Sequence, residues 1–119
     1  MSYTSRKGSP ITGVKIIIKS DMEKRKRIYI SIPVTGRPME LVRIKAEEVK
    51  TEIRRRMDIP SSPLDLTEDN EPYASCMGKC VEELLRCDAV YFVRGWQSSK
   101  GCTAEYEIAK IYGKELMFE

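Results

Sequence analysis

The run Ala89-Val90-Tyr91-Phe92-Val93 carries no charge and is rich in β-formers. It reads as a buried strand. It breaks at Gly95 and passes through Trp96, Gln97, Ser98, Ser99, Lys100 and Gly101 into a helical pattern. There Ala104, Ile108, Ile111 and Tyr112 recur at helical spacing, which predicts one shared apolar face. Glu105 falls in the first turn or so of that helix. A strand, a loop of small residues and a helix N-terminus make a natural site for a polar or anionic ligand. Gly113 suits the residue that ends the helix, and Glu115 to Phe118 reads as a last strand.

Upstream, strands and helices alternate. Residues 1–13 are polar and contain Gly8, Pro10 and Gly13, a composition expected of a loose arm. Val14 to Lys19 is β-like. Ile28 to Val34 is a second β-like run, closed by Pro33 and the turn residues Thr35-Gly36-Arg37-Pro38. Pro38 suits the first turn of a helix. Val42, Ala46, Val49, Ile53 and Met57 then stand three or four apart, predicting an amphipathic helix from Met39 to Met57. Ser61 to Leu66 reads as a weak edge strand or loop interrupted by Pro63. Pro72 opens another helix to about Arg86, with Tyr73, Met77, Cys80, Leu84 and Cys87 inward. This order predicts an α/β fold: a three-layer parallel sheet of four or five strands, helices on both faces and right-handed crossovers. If the strand at 28–33 lies beside that at 88–93, their C-terminal loops meet where strand order reverses. Ser31, Pro33, Thr35 and Gly36 then face Trp96, Ser98, Ser99 and the Glu105 helix.

Composition narrows the chemistry. The chain has 119 residues and no His, which removes Ser-His-Asp and Cys-His catalysis and most catalytic zinc sites. Acid–base work falls to carboxylates, Tyr, Lys or Cys. The net charge of +3 does not call for a nucleic-acid partner. The clusters Lys24 to Arg27 and Arg54 to Arg56 read as solvated faces or helix-end dipole partners. Cys76, Cys80, Cys87 and Cys102 form no C-x-x-C pair and read as free thiols of a reducing compartment. No run is long enough to span a membrane and no apolar signal core opens the chain, so a cytoplasmic protein is expected.

The blocks IYISIPVTG and CDAVYFVRGWQSSKGCTAEYEIAK resemble the nucleoside 2-deoxyribosyltransferase-like superfamily. They are most similar to its small microbial branch, which reads Y-I-S-G-P-M-T-G and C-D-A-x-Y-x-L-x-G-W-x-x-S-x-G-A-x-x-E-x-x-x-A. The resemblance covers residues 28–119 and leaves 1–27 as an N-terminal arm with an extra strand at 14–19. It implies a Rossmann-like or flavodoxin-like fold, often dimeric or a higher homo-oligomer, that binds a nucleoside or nucleotide and needs no metal or organic cofactor. It also implies that Glu105 attacks the anomeric carbon of a 2-deoxyribosyl group. Ser99 and Gly101 match its loop, and Tyr29 an aromatic residue of the base pocket. Ile32 departs from the pattern where the branch has Gly. Cys80 stands where active members often carry an Asp, eight residues before Asp88.

Each residue also has a plain reading. Glu105 complements a helix dipole, Ser98, Ser99 and Gly101 cap the helix, and Trp96 packs in the core or an interface rather than on a base. Ser31 and Thr35 are turn residues as well as ligand donors. Asp65, Glu68, Asp69 and Asp88 are the candidates for an acid that protonates a departing base. Three functions are therefore expected in competition: N-glycosidic cleavage or 2-deoxyribosyl transfer, a catalytically inactive nucleotide-binding or scaffold domain, and an oligomeric structural protein.

Overall fold

The computed structural model describes residues 25–119, so the expected strand at 14–19 lies outside the described residues. The elements run β1 (Arg27–Ser31), α1 (Met39–Arg55), β2 (Ile59–Ser61), α2 (Tyr73–Arg86), β3 (Ala89–Phe92), α3 (Lys100–Ile111) and β4 (Glu115–Phe118). Short 3-10 turns occupy Pro63–Asp65 and Trp96–Ser98. All four strands pair in parallel in the order β2-β1-β3-β4. The chain leaves β1 for one side of the sheet and later crosses to the other, so strand order reverses between β1 and β3.

Side chains alternate across a strand, and that alternation sorts the core into two layers. Ile28 and Ile30 of β1, with Ala89 and Tyr91 of β3, pack against Val42, Ala46, Val49 and Ile53 of α1. Tyr29 of β1, with Val90 and Phe92 of β3, packs against Cys80 and Leu84 of α2 and Ala109 of α3. The sheet is thus covered by one helix on one face and two on the other. Each large apolar side chain buried in these layers contributes about 1.5–3 kcal/mol. Among the described residues, no helix is long and apolar enough to cross a membrane.

Four expectations are corrected. α1 ends at Arg55, and Met57 is 69% exposed at φ +68° rather than part of the buried stripe. Its N–H bonds the Arg54 carbonyl, and that of Asp58 bonds the Ile53 carbonyl, so the helix is closed by a left-handed residue. The strand after α1 is Ile59–Ser61, not the stretch from Ser61 to Leu66. The Ile59 N–H points inward to the Lys26 carbonyl, so the absent N–H of Pro60 falls on the open edge, where proline is tolerated. In α2 the expected inward Tyr73 is exposed. In α3 the buried residues are Cys102, Glu105 and Ala109. Ala104, Ile111 and Tyr112 face outward, and only Ile108 of the expected face packs on the core.

The described residues of the two basic clusters, Arg25 to Arg27 and Arg54 to Arg56, are exposed, and Lys24 lies outside the described residues. Lys26 meets Glu115 and Arg27 meets Glu83, both at 2.7 Å, while Arg54 and Arg55 close the last turn of α1. All four cysteines are free.

Candidate active site

β1 carries the site because its residues alternate. Tyr29 and Ser31, two apart, share the face turned toward α3. The Tyr29 hydroxyl donates to Oε2 of Glu105 and the Ser31 hydroxyl to Oε1, each at 2.7 Å. Glu105 is only 5% exposed, and Tyr29 and Ser31 are fully buried. Both carboxylate oxygens are therefore pinned by neutral donors from one strand. No basic residue among those described acts on the carboxylate.

α3 aims this carboxylate. Ser99 caps its N-terminus by accepting the Cys102 N–H at 3.2 Å, which satisfies a donor the helix cannot. Glu105 then lies on the inward stripe with Cys102 and Ala109. Burial pushes its carboxyl above the ordinary glutamate range, and the Tyr29 and Ser31 hydrogen bonds pull it partly back. Tyr29 is raised well above its ordinary value by burial, then by the Glu105 charge and by Cys80. Its proton stays on, which keeps it a donor.

Glu105 opens on a cavity of about 560 Å³, within the range of small-ligand sites. Of the residues expected from sequence, Tyr29, Thr35, Ser99, Gly101 and Glu105 line it. Ser31 reaches it through Glu105. Pro33 is buried beside it and Gly36 turns the chain at φ +78°, but neither lines the cavity. Ser98 is exposed and off the lining. Trp96 is drawn away altogether. Its ring lies 5.1 Å from Phe92, 4.8 Å from Tyr106 and 5.8 Å from Phe118, on the β4 side of the sheet.

The cavity leans instead toward β2. Its second wall is the loop from Pro63 to Glu71 and the first turns of α2, with Tyr73, Cys76, Met77 and Cys80. Glu68 and Asp69 line it, whereas Asp65 is paired with Lys50 at 2.8 Å. Asp88 accepts the Arg27 N–H at 2.9 Å, the local backbone role its strand position suggests. Glu71, which sequence reasoning passed over, also lines the cavity. Hydrogen bonds from Ser75, Lys79 and the Glu68 N–H hold it down to about 2. Arg43 reaches the rim and meets Asp69 at 3.3 Å. Ile32 and Cys80 both line the cavity. The signal for Tyr73 was present in the sequence, an aromatic residue just after a helix-opening proline, but helical periodicity assigned it to the core.

Fold and site together define a class. This is a doubly wound, Rossmann-like parallel α/β domain whose crevice, beside the point of strand reversal, holds a buried carboxylate. The chain belongs to the family described as Domain of unknown function (DUF4406), which matches residues 26–118. Among solved structures it is similar to 2-desoxiribosyltransferase from Leishmania mexicana, at 22% identity and a TM-score of 0.62. The match covers 78% of this chain and 63% of that one, so the chain spans less than two thirds of that protein's length. The likeness establishes the shared fold. No curated protein shows significant sequence similarity to the chain.

Proposed function

We propose that the chain cleaves the N-glycosidic bond of a nucleoside or nucleotide, by hydrolysis or by 2-deoxyribosyl transfer, with Glu105 as nucleophile. The observation that carries this reading is a buried carboxylate, held by the Tyr29 and Ser31 hydroxyls at 2.7 Å each and open to a cavity of about 560 Å³. The fold shared with a 2-desoxiribosyltransferase supports it.

Cleavage builds oxocarbenium character on the anomeric carbon, which a carboxylate stabilises and then captures. A Glu105 oxygen bonds to that carbon as the bond to the base nitrogen breaks. The electron pair leaves with the base, and a proton reaches the base from an acid on the opposite wall. Glu68 and Asp69 are carboxyls that line that wall, Asp69 beside Arg43 at 3.3 Å. Water or a second base then attacks the same carbon and frees Glu105. Tyr29 and Ser31 keep the carboxylate oriented throughout. The reaction calls for no metal and no organic cofactor. A homo-oligomer belongs to the same proposal, and Leu41 and Ile44, 60% and 51% exposed on α1, offer apolar surface for it. A reducing, cytoplasmic setting suits the free thiols.

The test is base release from 2′-deoxynucleosides and their 5′-monophosphates, followed by chromatography, with Glu105→Ala beside the wild type. Release that disappears in the variant is expected. Release that persists unchanged would remove Glu105 from the mechanism. Binding without release in the wild type would favour a nucleotide-binding domain instead.

A further inference from the structure

Trp96 is spent on the aromatic cluster around Phe92, so a different residue must offer a planar ligand an aromatic face. Among the described residues, two aromatic side chains line the cavity, Tyr29 and Tyr73. Tyr29 is fully buried and its hydroxyl is committed to Glu105. Tyr73 stands in the first turn of α2, is 62% exposed, and among the described residues its hydroxyl bonds only the Met77 sulfur, at 3.9 Å. Its phenol crosses toward α3. A Cβ placed on Gly101 would lie 3.5 Å from the Tyr73 hydroxyl, so the tip of the phenol approaches the first turn of α3 there. Glu105 lies four residues past Gly101 on the same helix, about 6 Å further along it. Tyr73 and Glu105 line the same cavity, so a ring against Tyr73 shares that space with whatever Glu105 attacks. Met39 and Met77 line the same space with polarizable, adaptable thioethers.

We infer that Tyr73 is the stacking platform for the heteroaromatic base of the substrate, with Met77 beside it. This assignment rests on the glycosidic reading above and makes Tyr73 a binding and specificity residue. Stacking is indifferent to which base is present, because every base offers a π-face. Tyr73 thus confers tolerance among bases and strong preference for a nucleoside over a bare sugar.

The test is calorimetric binding of 2′-deoxyadenosine and 2′-deoxycytidine, with methyl 2-deoxyriboside as the base-free control. All measurements use the full chain carrying Glu105→Gln, so that ligand is not consumed. Tyr73→Leu is expected to weaken both nucleosides by about 10- to 100-fold. Tyr73→Phe should stay within about threefold of the parent, and the sugar control should not change with either. At 62% exposure, Tyr73 can be replaced with little effect on thermal stability. Unchanged nucleoside binding in Tyr73→Leu overturns the assignment while leaving the glycosidic reading intact. Equal losses for nucleosides and bare sugar also overturn it. If neither nucleoside binds the parent chain, the glycosidic reading falls and Tyr73 with it.

Discussion

Tyr29→Phe isolates the hydrogen bond that holds the buried carboxylate. The ring is fully buried and keeps its packing in the variant. What is lost is the hydroxyl that donates to Glu105 at 2.7 Å. Such a bond contributes about 1.5–3 kcal/mol when its partner is charged and about 0.5–1.5 kcal/mol when it is neutral. The cost therefore depends on whether Glu105 is ionised. Burial already raises the Glu105 carboxyl in the folded chain, so its contribution to stability is fully present below the ordinary glutamate range. That contribution is lost as pH rises through the raised value. Removing a donor that lowers this value raises it further, and the variant loses more over the same rise. Urea unfolding followed by far-UV circular dichroism at pH 7.5 and pH 4 reads the effect. We expect a loss of about 2 kcal/mol at pH 7.5, near 10 °C in melting temperature for a domain this size. The loss at pH 4 should be about half as large. In a Glu105→Gln background the two pH values should give the same cost. A cost that is equal at both pH values with Glu105 intact, or larger at pH 4, would refute a charged Glu105 held by Tyr29. In activity, the acid limb of the pH profile should move to higher pH in Tyr29→Phe.

Other substitutions separate function from stability. Glu105→Gln should lower base release by at least about a thousandfold, yet raise the melting temperature at pH 7.5 by removing a desolvated charge, with the gain gone at pH 4. Met57→Gly should stabilise the chain by about 1 kcal/mol, because Met57 pays for a left-handed conformation while 69% exposed; thermal melts measure it directly. Ser99→Ala should cost about 1 kcal/mol through the lost cap on Cys102, and a melting temperature unchanged from wild type would contradict that geometry. Cys80→Asp would place a second carboxylate beside Tyr29, at a position 8% exposed. It should destabilise the chain at neutral pH by about 2 kcal/mol or more and shift the acid limb of activity upward.

The sheet and its helices were legible because local chemistry and tertiary context agree there. Gly113, at φ +69°, ends α3 as its position suggests, and its neighbour Lys114 bonds back to the Ala109 carbonyl. Pro38 and Pro72 do precede helices. β1 lies beside β3, with Ser31 opposite Phe92, which brings the β1 face to Glu105. The direction in which α3 rolls was not legible. Hydropathy assigned its inward face to Ala104, Ile108, Ile111 and Tyr112, but the helix buries Cys102, Glu105 and Ala109. A periodicity argument counts a glutamate as solvent-facing, so a buried carboxylate rotates the apparent stripe away from the true one. Trp96 misled for a related reason. An aromatic residue after a strand reads alike whether it faces a ligand or its neighbours, and Phe92, Tyr106 and Phe118 together form the larger attraction. The β2 wall of the cavity depends on where a three-residue edge strand delivers the next loop, which no local pattern encodes.

The misread helix carries its own argument about function. A carboxylate 5% exposed, with no basic residue acting on it among those described, loses solvation that two hydroxyl donors only partly restore. A chain selected for stability alone would fill that inward position with an apolar residue, as it does at Ala109 four residues on. The cost is also specific in its design. β1 gives its even-numbered Ile28 and Ile30 to the α1 layer, while Tyr29 and Ser31 are turned to the two oxygens of one side chain. Replacing either hydroxyl leaves the opposite layer untouched, because strand alternation separates the two faces. The carboxylate can therefore be tuned without disturbing the packing beneath it. That separation is what a site needs when its pKa matters and its scaffold must stay rigid.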